Sequence, residues 1–367
     1  MARLAGWEMA AAGQPLRFAS RELPPLSPDE ALVRVAGCGI CHTDLGFLHD
    51  GVRTRHPLPL ILGHEISGHV EDAGAERKAL VGKAVVVPAV LPCGECALCR
   101  SERPTICRAQ IMPGNDRDGG FATRVVLPGR FLCPVPGAGE DPDAPLGAAR
   151  GLTLRHLAVV ADAVSTAYQA VRRSGVGRGG LAVVVGLGGL GTFAAQIAVD
   201  LGAVVVGLDV DARRLAASAG LGARAAFDPR SLPGKELRAR VAEFGRSAGA
   251  AEAGWTIFEC SGTAAGQQTA WGLLGYGATL MVVGYTLEAP PLRLSKLMAF
   301  DARALGNWGC APELYPAVLD LVLSGRVDVV SHTALVPLSQ IASALEDVRS
   351  RRTDRRVVLV PGGEEAA

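Results

Sequence analysis

The hydrophobic pattern divides the chain into two kinds of region. Up to about residue 155, apolar residues occur in short runs, such as residues 32–35, between turn-forming prolines and glycines. Alternation with a period of two is typical of strands with one buried face, so this part is predicted to be an irregular, mostly β domain. From about residue 156, apolar residues recur at helical spacing or in continuous runs, which indicates helices alternating with buried parallel strands.

Individual elements are predicted in the second region. Helical spacing predicts helices over residues 157–173, 191–201 and 312–324. Continuous apolar runs predict buried strands over residues 181–185, 203–209, 255–259, 278–283 and 357–360. Together these elements predict a doubly wound α/β sheet, and the final residues, 362–367, are expected to form a frayed end.

A glycine-rich sequence follows the first of these strands. Gly186, Gly188 and Gly191 match the pattern G-x-G-x-x-G, and Gly189 and Leu190 complete it. The pattern is weak alone, but here it lies between a predicted strand and a predicted helix, as dinucleotide binding requires. The glycines permit a tight turn, close approach to a pyrophosphate and close helix–strand packing. The alternative is a glycine-rich turn without a nucleotide.

The end of the next predicted strand bears on the choice of cofactor. Asp209 comes 23 residues after Gly186. A carboxylate there accepts hydrogen bonds from the ribose hydroxyls and repels a 2′-phosphate, which favours NAD over NADP. Arg213 and Arg214 follow closely, so NADP remains an alternative cofactor. Asp209 and Arg214 are therefore assigned to the predicted cofactor site.

Four of the nine cysteines have an informative spacing: they are Cys93, Cys96, Cys99 and Cys107. Four thiolates can close a tetrahedron around Zn²⁺, and a site with four protein ligands has no open position, so a structural zinc is predicted. Reduced surface thiols, a redox CxxC pair and an iron–sulfur cluster are the alternatives.

Composition excludes several protein classes. Hydrophobic residues make up 49% and charged residues 20% of the chain, which excludes whole-chain disorder and coiled coil. The net charge of +1 gives no basic footprint, so no nucleic-acid partner is expected. Each apolar stretch is interrupted before the roughly 18 residues of a membrane span, and the first residues do not resemble a signal peptide. A cytoplasmic protein without a membrane partner is expected.

Two further fragments contain metal-ligating residue types. They are residues 37–44, with the sequence Gly-Cys-Gly-Ile-Cys-His-Thr-Asp, and residues 63–65, with the sequence Gly-His-Glu. With the four-cysteine loop and the nucleotide motif downstream, the order of these fragments resembles the zinc-dependent medium-chain alcohol dehydrogenase family. The resemblance covers nearly the whole chain and implies an NAD-dependent oxidoreductase with a small-molecule substrate.

The resemblance implies a role for each residue of these fragments. Cys41 and His64 match the first two ligands of a catalytic zinc, and Asp162 stands where many members have the third ligand, a cysteine. Thr43 matches the hydroxyl that takes the alcohol proton. Glu65 matches the acid next to the metal.

Other matching positions concern the cofactor and the proton route. His42 matches a position near the cofactor pyrophosphate, and Asp44 matches the acid that orients the ligand histidine. The family often has a relay histidine where this chain has Gly46. His49 or water is the expected substitute.

The family fold implies a GroES-like catalytic domain interrupted by a Rossmann domain. The expected boundaries are residues 1–163 for the first catalytic part, 164–308 for the NAD-binding domain and 309–367 for the second catalytic part. A homodimer or homotetramer with two zinc ions per chain is expected from the same resemblance.

Four longer segments suggest a substrate class: residues 41–54, 107–116, 258–266 and 298–309. They are similar to members of the family that oxidise a cyclic allylic hydroxyacyl-CoA thioester in anaerobic aromatic degradation. Ala89, where other members often have a large aromatic residue, would leave room for a ring. A hydratase that adds water to a zinc-polarised cyclic enone is one alternative, and an inactive nucleotide-sensing zinc protein is another.

Overall fold

The computed structural model describes residues 2–232 and 234–362. The chain forms two compact units, one of Met1–Ser165 with Gly309–Ala367 and the other of Thr166–Trp308. The expected frayed end, from residue 363 onward, lies outside the described residues. Among the described residues, the helices are all too short or too polar to cross a bilayer.

The strands are numbered in chain order. They are β1 Arg3–Met9, β2 Arg17–Glu22, β3 Glu30–Gly39, β4 Leu60–Ile61, β5 Glu65–Ala73, β6 Ala84–Val87, β7 Arg124–Pro128, β8 Cys133–Pro134, β9 Leu181–Val185, β10 Val204–Leu208, β11 Ala225–Phe227, β12 Thr256–Glu259, β13 Thr279–Val282, β14 Arg303–Gly306, β15 Thr333–Pro337 and β16 Arg356–Val360.

The α-helices are α1 His42–His49, α2 Ala97–Arg100, α3 Ala163–Ser174, α4 Gly191–Asp200, α5 Ala212–Ala217, α6 Lys235–Ser247, α7 Ala264–Leu273, α8 Ser295–Phe300, α9 Tyr315–Leu323 and α10 Ile341–Arg349. Short 3₁₀-helices cover Ala75–Leu80, Pro104–Ile106, Gly129–Phe131, His156–Ala161, Ser218–Leu221, Pro312–Leu314 and Leu338–Gln340.

The first unit is built on a mixed, largely antiparallel sheet. Its strand order is β15-β16-β3-β5-β6-β8, with β7 also paired to β3, and a smaller sheet has the order β2-β1-β4. Strand β3 pairs with β5 so that Gly39 lies opposite Glu65, and it pairs with β16 so that Gly39 lies opposite Val358. The residues that follow β3 therefore lie beside the start of β5.

The second unit contains the predicted parallel sheet. Its six strands have the order β11-β10-β9-β12-β13-β14, and all neighbouring pairs are parallel. The chain order reverses between β9 and β12, which is the topological switch point where such sheets bind ligands at the carboxyl ends of their strands. Buried aliphatic residues such as Val183, Val206 and Ile257 form its core. The predicted Rossmann-type sheet is confirmed.

The predicted helix over residues 157–173 is wrong in one respect. A 3₁₀-helix ends at Ala161, α3 begins at Ala163, and Asp162 between them has φ −136° and ψ −65°. Helical spacing of apolar residues continues through this point because both segments are buried. The interruption depends on contacts with distant parts of the chain, which periodicity does not report.

The glycine turn after β9 generates a stability prediction. A Cβ on Gly191 would lie 1.8 Å from the carbonyl oxygen of Gly186, whereas a Cβ on Gly272 in α7 would meet nothing within 4 Å. Gly191→Ala is expected to lower the free energy of unfolding by about 3 kcal/mol or more, because the backbone has to move. The measurement is urea denaturation followed by tryptophan fluorescence.

The matched variant is Gly272→Ala, which is expected to leave stability unchanged or raise it by up to about 1 kcal/mol, since alanine favours helix. Equal unfolding midpoints for the two variants would contradict the close contact of the glycine turn.

Candidate metal and dinucleotide sites

A buried carboxylate joins the end of β3 to the start of β5. Asp44, in the first turn of α1, is fully buried. One of its oxygens accepts the backbone N–H of Cys41 at 2.9 Å, and the other accepts that of Gly63 at 3.1 Å. The second oxygen also lies 3.5 Å from Nδ1 of His64. Asp44 therefore fixes the backbone beside two predicted metal ligands and orients the imidazole, as metal-bound histidines require.

The three predicted ligands of the catalytic metal lie together. Nε2 of His64 is 3.5 Å from Oδ2 of Asp162, and Sγ of Cys41 is 3.8 Å from the same oxygen. Tetrahedral zinc with ordinary Zn–S, Zn–N and Zn–O bonds separates such donors by roughly 3.4–3.6 Å. The donor set and its spacing fit zinc, and the three predicted ligands would leave a fourth position on the ion for a substrate oxygen.

Glu65 is the fourth member of the cluster of possible metal ligands. One of its oxygens lies within 4.8 Å of the ligand atoms of Cys41, His64 and Asp162. Glu65 is fully buried, and its carboxylate accepts two hydrogen bonds from the guanidinium of Arg356, with Nε at 2.8 Å from Oε2. Burial raises the pKa of Glu65 to about 7, against the opposing effect of Arg356. Arg356 therefore holds this carboxylate beside the metal ligands.

The remaining predicted residues of the first fragment have different surroundings. Thr43 places its hydroxyl 3.6 Å from Sγ of Cys41, next to the ligand set. His42 is exposed. His49 is the last residue of α1 and interacts electrostatically with Glu346 of α10, so the expected relay substitute has a charged neighbour on a different helix.

The four cysteines of the predicted structural site form a compact cluster. The described Sγ–Sγ distances are 3.9, 3.6, 3.7 and 3.5 Å for the pairs 93–99, 96–99, 96–107 and 93–107. A tetrahedral Zn²⁺ with bonds of about 2.3 Å separates its sulfurs by about 3.8 Å. All nine cysteines are free thiols. The cluster fits a closed zinc site.

Backbone N–H groups support the charge on these sulfurs. The N–H of Cys96 points to Sγ of Cys93 at 3.4 Å, and the N–H of Cys93 points to Sγ of Cys107 at 3.4 Å. The backbone N–H of Cys99 lowers the pKa of Cys96 to about 6. The thiolate, the form that binds zinc, is thus favoured at Cys93 and Cys96, whereas burial raises the pKa of Cys99 and Cys107.

The predicted dinucleotide motif lies between β9 and α4. Gly186 has φ +91°, and a Cβ there would meet Ser261 at 2.7 Å. A Cβ on Gly188 would lie 3.4 Å from the guanidinium of Arg214. Gly189 and Leu190 complete the turn, and α4 begins at Gly191.

Asp209 lies buried directly after β10. Its Oδ2 accepts the N–H of Leu187 at 2.7 Å and lies 3.7 Å from the guanidinium of Arg214. Arg213 instead pairs with Asp211 at 2.8 Å. The acid and one arginine therefore adjoin the glycine turn, as a ribose-binding role for Asp209 requires.

Comparison with known proteins identifies the family of the chain. Residues 27–137 match the alcohol dehydrogenase GroES-like domain, and residues 189–324 match the zinc-binding dehydrogenase domain. Together the two matches cover more than half of the chain. An alcohol dehydrogenase from Geobacillus stearothermophilus is 28% identical over 350 residues, which is 94% of this chain and 96% of that protein.

The chain belongs to the zinc-dependent medium-chain alcohol dehydrogenase family. Another relative, 2-dehydro-3-deoxy-L-galactonate 5-dehydrogenase from Pseudoalteromonas atlantica, is 29% identical over 88% of this chain and 89% of its own length. The crystal structure of the alcohol dehydrogenase from Aeropyrum pernix superposes with a TM-score of 0.83 at 27% identity, covering 97% of this chain and 100% of that one. The chain is thus a zinc-binding oxidoreductase that uses NAD or NADP.

The sequence analysis missed one residue beside the predicted metal ligands and one that binds the loop next to Gly186. Arg356 begins the last strand, and nothing in the local pattern relates it to Glu65. Glu259 ends β12, and its carboxylate accepts the N–H of Ser261 at 2.8 Å and that of Gly262 at 3.2 Å. Its place at the carboxyl end of a predicted parallel strand was the signal that could have found it.

The two clusters generate a prediction about metal content. Purified protein is expected to contain two zinc ions per chain, and Cys96→Ser and Asp162→Ala are each expected to retain one, because each removes a ligand from a different cluster. The measurement is zinc per chain by plasma emission spectrometry after gel filtration.

The control is Cys133→Ser, which changes a buried thiol outside both clusters and is expected to retain two zinc ions. If Cys96→Ser and Asp162→Ala in one chain still left a bound zinc, the two-site assignment would be wrong.

The position of Asp209 generates a prediction about cofactor choice. Asp209→Ser removes the carboxylate beside Arg214 and is expected to raise KM for NAD about tenfold or more, while KM for NADP falls, because the 2′-phosphate is no longer repelled. Steady-state kinetics with both cofactors test this. Asp228→Ser, after the neighbouring strand β11, is the control and keeps both values. An unchanged ratio of the two constants in Asp209→Ser would count against the assignment.

Proposed function

We propose that the protein is an NAD-dependent dehydrogenase that oxidises the secondary alcohol of a cyclic allylic hydroxyacyl-CoA thioester to the conjugated ketone. The proposed substrate is 6-hydroxycyclohex-1-ene-1-carbonyl-CoA, an intermediate of anaerobic aromatic degradation. The observation that carries the reaction class is the cluster of Cys41, His64 and Asp162, with Glu65 beside them. Three ligands from the chain would leave one position on a zinc ion for the alcohol oxygen.

The sequence supports the finer substrate. The four segments 41–54, 107–116, 258–266 and 298–309 resemble dehydrogenases of such thioesters. Ala89 also supports a ring-shaped substrate, because its backbone N–H donates to the carbonyl of Ala161, next to the ligand Asp162. The proposal takes the small side chain of Ala89 to leave room for the ring.

The cofactors of the proposal are two zinc ions and NAD. The catalytic zinc would be held by Cys41, His64 and Asp162, and the structural one by the four-cysteine cluster. NAD is supported by the carboxylate of Asp209 beside the glycine turn. When bound, zinc supplies a Lewis acid that lowers the pKa of a coordinated alcohol, and NAD supplies the hydride acceptor.

The residues of the chain would orient the alcohol and move its proton. The hydroxyl of Thr43 lies next to the ligand sulfur of Cys41 and would accept the alcohol proton. Asp44 keeps His64 in its orientation. Glu65 contributes a carboxylate beside the metal ligands, and Arg356 keeps it in place.

The proposal extends to location and assembly. The nine free cysteines support a reducing compartment, so a cytoplasmic enzyme is proposed. A homodimer or homotetramer is proposed from the family resemblance.

Three relatives favour a competing substrate class. One relative is a sugar-acid dehydrogenase, and others are an L-galactonate-5-dehydrogenase and a D-xylulose reductase. These names refer to sugars and sugar acids and to no CoA thioester. A substrate comparison distinguishes the two classes.

The substrate proposal predicts the outcome of a panel assay. With NAD, kcat/KM for 6-hydroxycyclohex-1-ene-1-carbonyl-CoA is expected to exceed that for L-galactonate and xylitol at least 100-fold, because the ring and the CoA group add contacts that strengthen transition-state binding. NADH absorbance at 340 nm measures each rate, and the free cyclic alcohol shows whether CoA is required.

Cys41→Ser is expected to lose at least 1,000-fold in kcat, and Cys133→Ser is the matched variant that keeps it. Faster turnover of L-galactonate or xylitol would overturn the cyclic substrate. Hydration of the cyclic enone without any change in NADH would instead indicate the hydratase.

A further inference from the structure

The third metal ligand lies at an interruption between two helical segments. A residue inside an α-helix has φ near −63° and ψ near −42°. Asp162 has φ −136° and ψ −65°, and α3 starts only at the next residue. Its carboxylate lies 3.5 Å from Nε2 of His64 and 3.8 Å from Sγ of Cys41. The direction of this side chain therefore depends on what holds the backbone at residue 161.

A tyrosine from the second part of the same unit binds this backbone. Tyr315, the first residue of α9, is fully buried, and its hydroxyl donates a hydrogen bond to the carbonyl of Ala161. The N–H of Ala89 donates to the same carbonyl at 3.2 Å. The carbonyl that precedes the ligand is thus bound from two sides by distant segments.

The same hydroxyl also accepts hydrogen bonds. The N–H of Ala89 lies 3.3 Å from it, and Oγ of Ser165 donates to it at 3.2 Å. Ser165 Oγ also lies 3.2 Å from the carbonyl of Asp162 itself. One hydroxyl therefore joins three segments of the chain within one residue of the ligand.

The chemistry of the hydroxyl suits this place. A buried hydroxyl without partners costs about 1–3 kcal/mol, so Tyr315 is held by the acceptors and donors around it. Burial raises the pKa of Tyr315 well above its usual value, so the group stays protonated and remains a donor. Phenylalanine would fill the same space without the hydrogen bonds.

We propose that Tyr315 is a positioning residue of the catalytic metal site, which sets the direction of the Asp162 carboxylate by binding the carbonyl of Ala161. The inference rests on the proposed metal site at Cys41, His64 and Asp162. It assigns to the second catalytic segment a role in metal binding, although residues 309–362, the described part of that segment, supply no ligand to either cluster.

Tyr315→Phe tests the proposal in the full-length protein. The variant is expected to bind the metal ion of the proposed catalytic site about 10–100-fold more weakly, because loss of a group that orients a ligand typically lowers metal affinity by this factor. Chelator competition gives the affinity for Zn²⁺, and substitution with Co²⁺ gives a visible spectrum that reports the geometry of the Cys41, His64 and Asp162 ligands. A changed cobalt spectrum is expected, with the metal of the four-cysteine cluster retained.

Tyr276→Phe is the matched control, because it removes the hydroxyl of a tyrosine that is 69% exposed. It is expected to keep the wild-type affinity and spectrum. If Tyr315→Phe keeps them too, the proposal is overturned, even where the melting temperature falls, because the tyrosine is then only structural. If Tyr315→Phe does not fold, Ser165→Ala is tested in its place. This variant is expected to lose about two- to fivefold in affinity for the metal, and an unchanged affinity would overturn the proposal.

The outcome also separates this inference from the proposed function. If the wild-type protein binds metal only at the four-cysteine cluster, the proposed catalytic site and this inference are both wrong. If the wild-type protein binds two metal ions and the Tyr315→Phe variant binds both with unchanged affinity, only the inference is wrong.

Discussion

The pairing of β3 with its neighbours is the constraint on which the catalytic unit depends. Gly39, near the end of β3, lies opposite Glu65 of β5 and opposite Val358 of β16. One register therefore brings together the segment that carries Cys41, the start of β5 and the strand that carries Arg356. A shift by one residue would turn alternate side chains to the other face and separate the metal ligands from the groups that orient them.

Burial at this site has an energetic cost that the hydrogen bonds offset. Asp44 and Glu65 are fully buried carboxylates, and each has a defined set of partners. A buried ion pair such as Glu65–Arg356 adds little net stability, yet removing one partner typically costs about 3–5 kcal/mol because the other charge remains buried. The arrangement is therefore better explained by the position it gives the metal ligands than by the stability it adds.

Much of this architecture could be predicted because it is encoded locally. The strand over residues 181–185, the glycine turn after it and the spacing of the four cysteines each depend on neighbours in sequence. The break at Asp162, the partner of Glu65 and the hydroxyl of Tyr315 could not be predicted this way. Arg356 and Glu65 are 291 residues apart, and Tyr315 and Ala161 are 154 apart. Contacts of such separation leave no periodic signal in one sequence.

The separation of Glu65 from Arg356 has a consequence during synthesis. At the usual 5–20 residues per second, a ribosome needs about 15–60 s to add the 291 residues that follow Glu65 up to and including Arg356. The four cysteines lie within a short loop and can take up their metal soon after they leave the ribosome. The predicted catalytic ligands have no complete scaffold until β16 pairs with β3, so the two proposed metal sites of one chain would form at different times.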